Sequence, residues 1–134
     1  MYLDANINKA FYETTQIKIS KGHAEIRLDI TEKYFHALGA MHGSVYFKLL
    51  DDAAFFAANS IIEDVFVLTK SFRIDFLRPV STGRIYAQGQ NLKSDANEIL
   101  AGAELCNEDK KIIARGEGIF MKSRTILSPE IGYI

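Results

Sequence analysis

One stretch dominates what this chain can become. In VYFKLLDDAAFFAANS, from Val45 to Ser60, apolar residues occupy nearly every side of a helix. Such a helix has to be covered all round. The residues after it, from Asp64 to Lys122, alternate in the manner of strands, which predicts that strands supply the cover. Lys48, Asp51, Asp52 and Asn59 interrupt the apolar run, so the helix reads as a protein core element and not as a membrane span.

The flanking segments complete an α+β plan. Leu3, Ile7, Ala10 and Phe11 recur at helical spacing and predict a short amphipathic helix with those residues inward. Gln16 to Ser20 and His23 to Ile30 flank Lys21-Gly22, the pattern of a β-hairpin, with Ala24, Ile26, Leu28 and Ile30 on one face. Thr31 to Met41 reads as a loop. After the central helix, strands are expected at Asp64–Leu77, Gly83–Leu92, Glu98–Cys106 and Lys111–Lys122. Pro79 closes the first of them, since proline cannot donate to a ladder. Polar turns at Ser94–Asn97 and Asn107–Asp109 join the later ones as a four-stranded meander. In the first of these strands Phe72, Ile74 and Phe76 share one face, and Ser71, Arg73 and Asp75 the other. The expected architecture is one domain over residues 1–134: an antiparallel sheet of five or six strands wrapped around one long central helix, with the tail from Ser123 an extension.

Composition narrows the function. A net charge of −1 over 134 residues offers no basic stripe for nucleic acid. Cys106 is the single cysteine, so neither an intrachain disulfide nor a thiolate cluster is expected, and a reducing, cytoplasmic setting is the simplest reading. MYLDANINKAFYETT carries neither a basic nor an apolar signal region, and no membrane insertion is expected. His23, His36 and His42 lack metal-ligand spacing, so no metal or other cofactor is expected. Ser44 lies outside any G-x-S-x-G elbow, which argues against a serine nucleophile.

The two central carboxylates separate by their neighbours. Asp52 stands four residues after Lys48, an ordinary helix pair on a polar edge that also holds Asn59. Asp51 lies among Phe47, Ala54, Phe55 and Ala58, below Ser44, and is read as having no cation to pair with. Desolvation raises the pKa of such an acid toward the range of a general base. The plainer alternative is an edge Asp satisfied by water or a hydroxyl. His42-Gly43-Ser44 marks the helix start. There free N–H groups and the helix dipole can meet a carbonyl oxygen, and glycine allows close approach. Alternatively Gly43 relieves crowding and Ser44 is a cap.

HALGAMHGSVYFKLLDDAA, His36 to Ala54, resembles the hotdog-fold acyl-CoA thioesterases, in particular their phenylacetyl-CoA, or PaaI-like, branch. That branch carries N-x-x-G-x-x-H-G-G-x-x-x-x-L-x-D-x-A, and FLRPVSTG is similar to its strand-end segment. The resemblance implies hydrolysis of an acyl- or aryl-CoA ester. Asp51 would be base or nucleophile, Gly43 N–H the group that polarises the carbonyl, and Thr69 the orienter of water. His42, His36, Ser44, Phe47 and Phe55 would contact substrate. The resemblance further implies a homodimer or dimer of dimers, with acid and helix N-terminus drawn from different subunits. Arg73, Arg78, Arg84, Lys122 and Arg124 are candidates for the CoA phosphates. His36 replaces the branch's Asn and Ser44 its second Gly. An amide's donor and acceptor roles cannot both be met by one neutral imidazole. That substitution keeps two alternatives open, an acyl-CoA-binding module without turnover and a hydratase or dehydratase of the same fold.

Overall fold

The computed structural model describes residues 5–12, 15–35, 39–62 and 65–126. Helix α1 (Asn6–Phe11) leads into strands β1 (Gln16–Ser20) and β2 (His23–Asp29), which form the expected hairpin around Gly22 at φ 78°. A 3₁₀ turn, Glu32–Tyr34, precedes the central helix α2 (Gly43–Asn59). Strands β3 (Val65–Phe76), β4 (Arg84–Ser94), β5 (Glu98–Cys106) and β6 (Ile112–Ile126) follow. All pairings in the six-stranded sheet are antiparallel.

The sheet order is β1-β2-β4-β5-β6-β3, which corrects the expected meander. Strand β3 does not pair with β4. It takes the far edge beside β6, and β4 fills the place next to β2. The segment after β3 is tied at intervals along this crossing. Leu77 N–H and Arg78 N–H donate to the Ile113 carbonyl, Met41 N–H to Val80, and Ile30 N–H to Gly83. A connection holding Pro79 and anchored this way spans the open end of the sheet instead of turning back as a hairpin. Strand β6 also continues past Lys122 through Ile126, where Val65 pairs with it, so strand pairing reaches beyond the Ser123 boundary of the expected tail.

Alternation along each strand gives the sheet an inner face, with Ala24, Ile26, Leu28, Ile85, Ala87, Ile99, Ala101, Leu105 and Phe120 buried against α2. The helix answers with small residues. Ala53, Ala54, Ala57 and Ala58 are all fully buried, and they let the helix lie close to the strands. Closest of all is Gly89 on β4: a Cβ there would lie 2.1 Å from the Ala53 carbonyl oxygen.

Helix α1 is turned differently from expectation. Ile7 is 57% exposed and Asn8 only 3%. Tyr12 explains the rotation. It is buried, stacks on Tyr34 at 5.3 Å and sits 5.3 Å beneath the Lys48 ammonium, and Asn8, one turn earlier, shares its face. Leu3 lies outside the described residues, as do the side chains of Ala10 and Phe11.

Candidate active site

One stripe of α2 faces the edge strand β3, and three contacts run along it. Thr69 Oγ1 donates to Asp51 Oδ1 at 3.0 Å. One turn earlier, the Phe47 ring meets Phe72 edge-on, with centroids 5.4 Å apart. At the helix start the Phe76 ring lies 3.4 Å from where a Cβ on Gly43 would stand. Because β3 is an edge strand, this stripe is open on one side. Phe47 is 41% and Phe76 55% exposed, while Asp51 and Phe72 are half-buried.

The meeting of Thr69 and Asp51 depends on an irregularity. Strict alternation puts Thr69 on the face of Ser71, away from the helix. Between Thr69 and Ser71, however, β3 slips in register against β6: Thr69 pairs with Phe120, and Ser71 with Ile119. The extra residue is Lys70, and the bulge turns Thr69 to the same side as Phe72. That register shift alone brings the hydroxyl to the acid.

Desolvation holds the Asp51 carboxyl above the ordinary carboxylate range. The neighbouring charge of Asp52 adds to this, while the Thr69 hydrogen bond and the Lys48 charge partly offset it. Lys48 stands three residues before Asp51, so the sequence does place a cation within helix-pair reach, and the earlier reading is corrected. Its ammonium nevertheless pairs with Asp52. That pair agrees with the structural reading of Asp52. The edge it occupies is less polar than expected, since Asn59 is 3% exposed and its Oδ1 has no partner among the described residues.

At the helix start His42, not Ser44, is the N-cap. Its Nδ1 accepts the Ser44 N–H at 3.0 Å, and its ring also meets Ser44 Oγ at 2.7 Å. An acceptor Nδ1 requires a neutral ring with the proton on Nε2. Val45 N–H donates to the His42 carbonyl at 3.0 Å. Gly43 N–H has no acceptor among the described residues. Ser44 is exposed. Phe55 packs against Phe56 at 5.0 Å and Phe120 at 6.1 Å, beside Asp51 on the helix. His36 falls outside the described residues.

Three of the basic candidates are already engaged. Arg78 donates to the Ile112 carbonyl at 2.6 Å, Arg84 to Asp29 at 2.7 Å, and Lys122 to the Asp95 carbonyl at 3.4 Å. Arg73 is exposed, and its ion-pair partner among the described residues is Asp75 at 3.9 Å. The Arg124 side chain lies outside the described residues. A cavity of about 670 Å³ lies on the outer face of the sheet among Arg73, Gln88, Gly102, Glu104 and Arg115, opposite the helix and without Asp51 in its lining. No group of His, Cys, Asp or Glu able to hold a metal occurs among the described residues.

Phe72 was not singled out from sequence. A signal existed: Gly116-x-Gly118 puts two side-chain-free positions on one face of a strand, which asks for an aromatic ring from a neighbour.

A six-stranded antiparallel sheet curled around one buried helix is the hotdog fold of the PaaI type. The chain belongs to the thioesterase superfamily, whose family model matches residues 38–114. A Saccharolobus solfataricus protein named "Putative esterase SSO2140" is 24% identical over 86% of this chain and 82% of its own. The PaaI protein of the E. coli phenylacetic acid degradation operon superposes with a TM-score of 0.86 at 24% identity, over 96% of this chain and 91% of that one. A thioesterase from Haemophilus influenzae gives 0.82 at 15% identity, over 91% and 85%. No described helix is long and apolar enough to cross a membrane.

Proposed function

We propose that the protein hydrolyses an acyl- or aryl-CoA thioester to the free acid and CoA. The observation that carries this reading is Asp51: a desolvated carboxyl with a raised pKa, bonded to Thr69 where the helix faces the edge strand. Gly43 N–H polarises the thioester carbonyl, Thr69 orients a water, and Asp51 takes its proton as the oxygen attacks. The C–S bond then breaks, and the thiolate leaves with the proton as CoA thiol. Phe47 and Phe55 line the path of the acyl group, and His42 keeps the helix start in place.

Gly43 and Asp51 are eight residues apart on one helix, about 12 Å at 1.5 Å per residue, too far to serve one thioester carbon. A homodimer with α2 antiparallel to its copy brings the acid of one subunit to the helix start of the other. The exposed rings of Phe47 and Phe76 and the open edge of β3 suit burial in that interface. Release of free thiol from a panel of acyl-CoAs tests the reading. Turnover supports it, whereas saturable binding without thiol release favours the acyl-CoA-binding module that the His36 substitution keeps open.

The pH profile supplies a second expectation. Asp51 works as the carboxylate, so kcat/KM should rise with pH along a limb displaced above the ordinary carboxylate range. Thr69→Val removes a hydrogen bond to the charged form and should move that limb to still higher pH while lowering the plateau. A limb that stays in place after this substitution would separate it from Asp51.

A further inference from the structure

Tyr46, on the first turn of α2, carries a hydroxyl into the core and is only 3% exposed. A phenylalanine would fill the same volume without a polar atom, so the hydroxyl needs a partner there. It donates to the Arg78 carbonyl at 2.9 Å. The ring meets Phe76, with centroids 5.4 Å apart and planes at 53°. One side chain of the helix therefore holds the end of β3 at two points, through the Phe76 ring and through the Arg78 carbonyl. The same segment is tied from other sides by Met41 N–H on the Val80 carbonyl at 2.8 Å and by Leu77 N–H on the Ile113 carbonyl at 2.9 Å. The tie from Tyr46 bears on the Phe76 ring itself. Held in this way, the ring sets its Cε1 and Cζ each 3.4 Å from where a Cβ on Gly43 would stand.

From this geometry we infer that Tyr46 is a positioning residue: it fixes the Phe76 ring beside Gly43 and so keeps water from the N–H that receives the thioester carbonyl. The inference rests on the thioesterase reading above. Tyr46 acts through Phe76 and neither touches the ester nor moves a proton. A hydrogen bond strengthens as water is removed from around it, most of all when its acceptor is gaining negative charge. The carbonyl oxygen gains that charge as the tetrahedral intermediate forms, so the ring favours the transition state over the bound ester. Loss of the Tyr46 hydroxyl should therefore appear in kcat and not in KM. A hydroxyl that serves only to anchor the connection after β3 would appear in stability alone.

The test measures thiol release from phenylacetyl- and hexanoyl-CoA by the native protein, Tyr46→Phe, Phe76→Leu and the double variant, with urea unfolding alongside. Tyr46→Phe should lower kcat about three- to tenfold, less than the loss of an oxyanion donor itself, and leave KM within about twofold. The Asp51 limb of the pH profile should stay in place, because the Thr69 bond is untouched. In the Phe76→Leu background the same change should cost little more, since the hydroxyl acts through the ring. The infrared carbonyl stretch of either ester bound to Asp51→Asn reads polarisation where turnover is slow. It should lie below that of the free ester, and adding Tyr46→Phe should return part of the shift. Native kcat in Tyr46→Phe with only a lower urea midpoint overturns the assignment. Independent effects of the two substitutions, or a carbonyl stretch that does not move, do the same. If Tyr46→Phe fails to fold, Phe76→Leu in the Asp51→Asn protein decides by the carbonyl stretch. Absence of thiol release with a stretch that still responds to Tyr46→Phe removes the thioesterase reading and keeps the role of Tyr46. No binding of either ester removes both.

Discussion

Asp51→Asn should lower kcat by about 10²-fold or more while the protein stays folded and still binds acyl-CoA. The amide keeps the size of the side chain and can still accept from Thr69, so the geometry of the stripe survives. What is lost is the ability to take a proton from water. Stability should be unchanged or higher at neutral pH, and the sign follows from linkage. Burial raises the folded-state pKa of Asp51 above its unfolded value, so over the window between the two the native state binds more protons than the unfolded chain. Native stability from this group therefore falls as pH rises through that window, and an uncharged amide escapes the loss. Thiol-release kinetics together with urea unfolding at several pH values check both halves. A variant with native kcat would remove Asp51 from the chemistry. One that is inactive because it has unfolded would show the carboxylate to be structural.

Gly89→Ala should be the most destabilising single methyl in the protein, at about 3 kcal/mol or more. The added Cβ would lie 2.1 Å from the Ala53 oxygen, 2.3 Å from its carbonyl carbon and 2.8 Å from the Ala54 nitrogen. These are helix backbone atoms, so no rotamer change relieves the overlap, and either α2 or β4 must move. The whole native state is worth only about 5–15 kcal/mol, so a loss of this size shows as a large fall in the urea midpoint or as insoluble expression. Gly102→Ala is the control. It lies on the outer face of the same sheet, where the nearest atom is the end of the Leu92 side chain at 3.2 Å, which can swing aside. Near-equal midpoints for the two variants would mean that the helix does not pack on β4 as closely as described.

The two predictions draw on different layers of the molecule, and so does what could be read in advance. Gly89 looks unremarkable in sequence, one glycine in an alternating strand. Its importance comes from Ala53, which is remote along the chain and meets it only because helix and sheet are small-on-small at that point. Asp51 was legible because a carboxylate amid Phe47, Ala54 and Phe55 is costly wherever that helix is buried. The inward face of α1 was misread because six residues are too few for their own periodicity to decide, and the stacking of Tyr12 on Tyr34 decided instead.

What the sequence by itself determined was the kind of layer structure, the hairpin around Gly22, the buried central helix and the motif from His36 to Ala54. These follow from local chemistry: side-chain periods, turn residues and the cost of burying charge. Only the tertiary structure decided that β3 lies beside β6, that the bulge at Lys70 turns Thr69 toward Asp51, and that His42 caps the helix in place of Ser44. It also set the Phe72 ring on Gly116 and Gly118. Each of these is a contact between segments whose separation along the chain carries no period, or, at the helix start, a cap that local propensity would assign to serine. Alternation tells a strand which face to bury, but not which neighbour it will meet or where its register will slip.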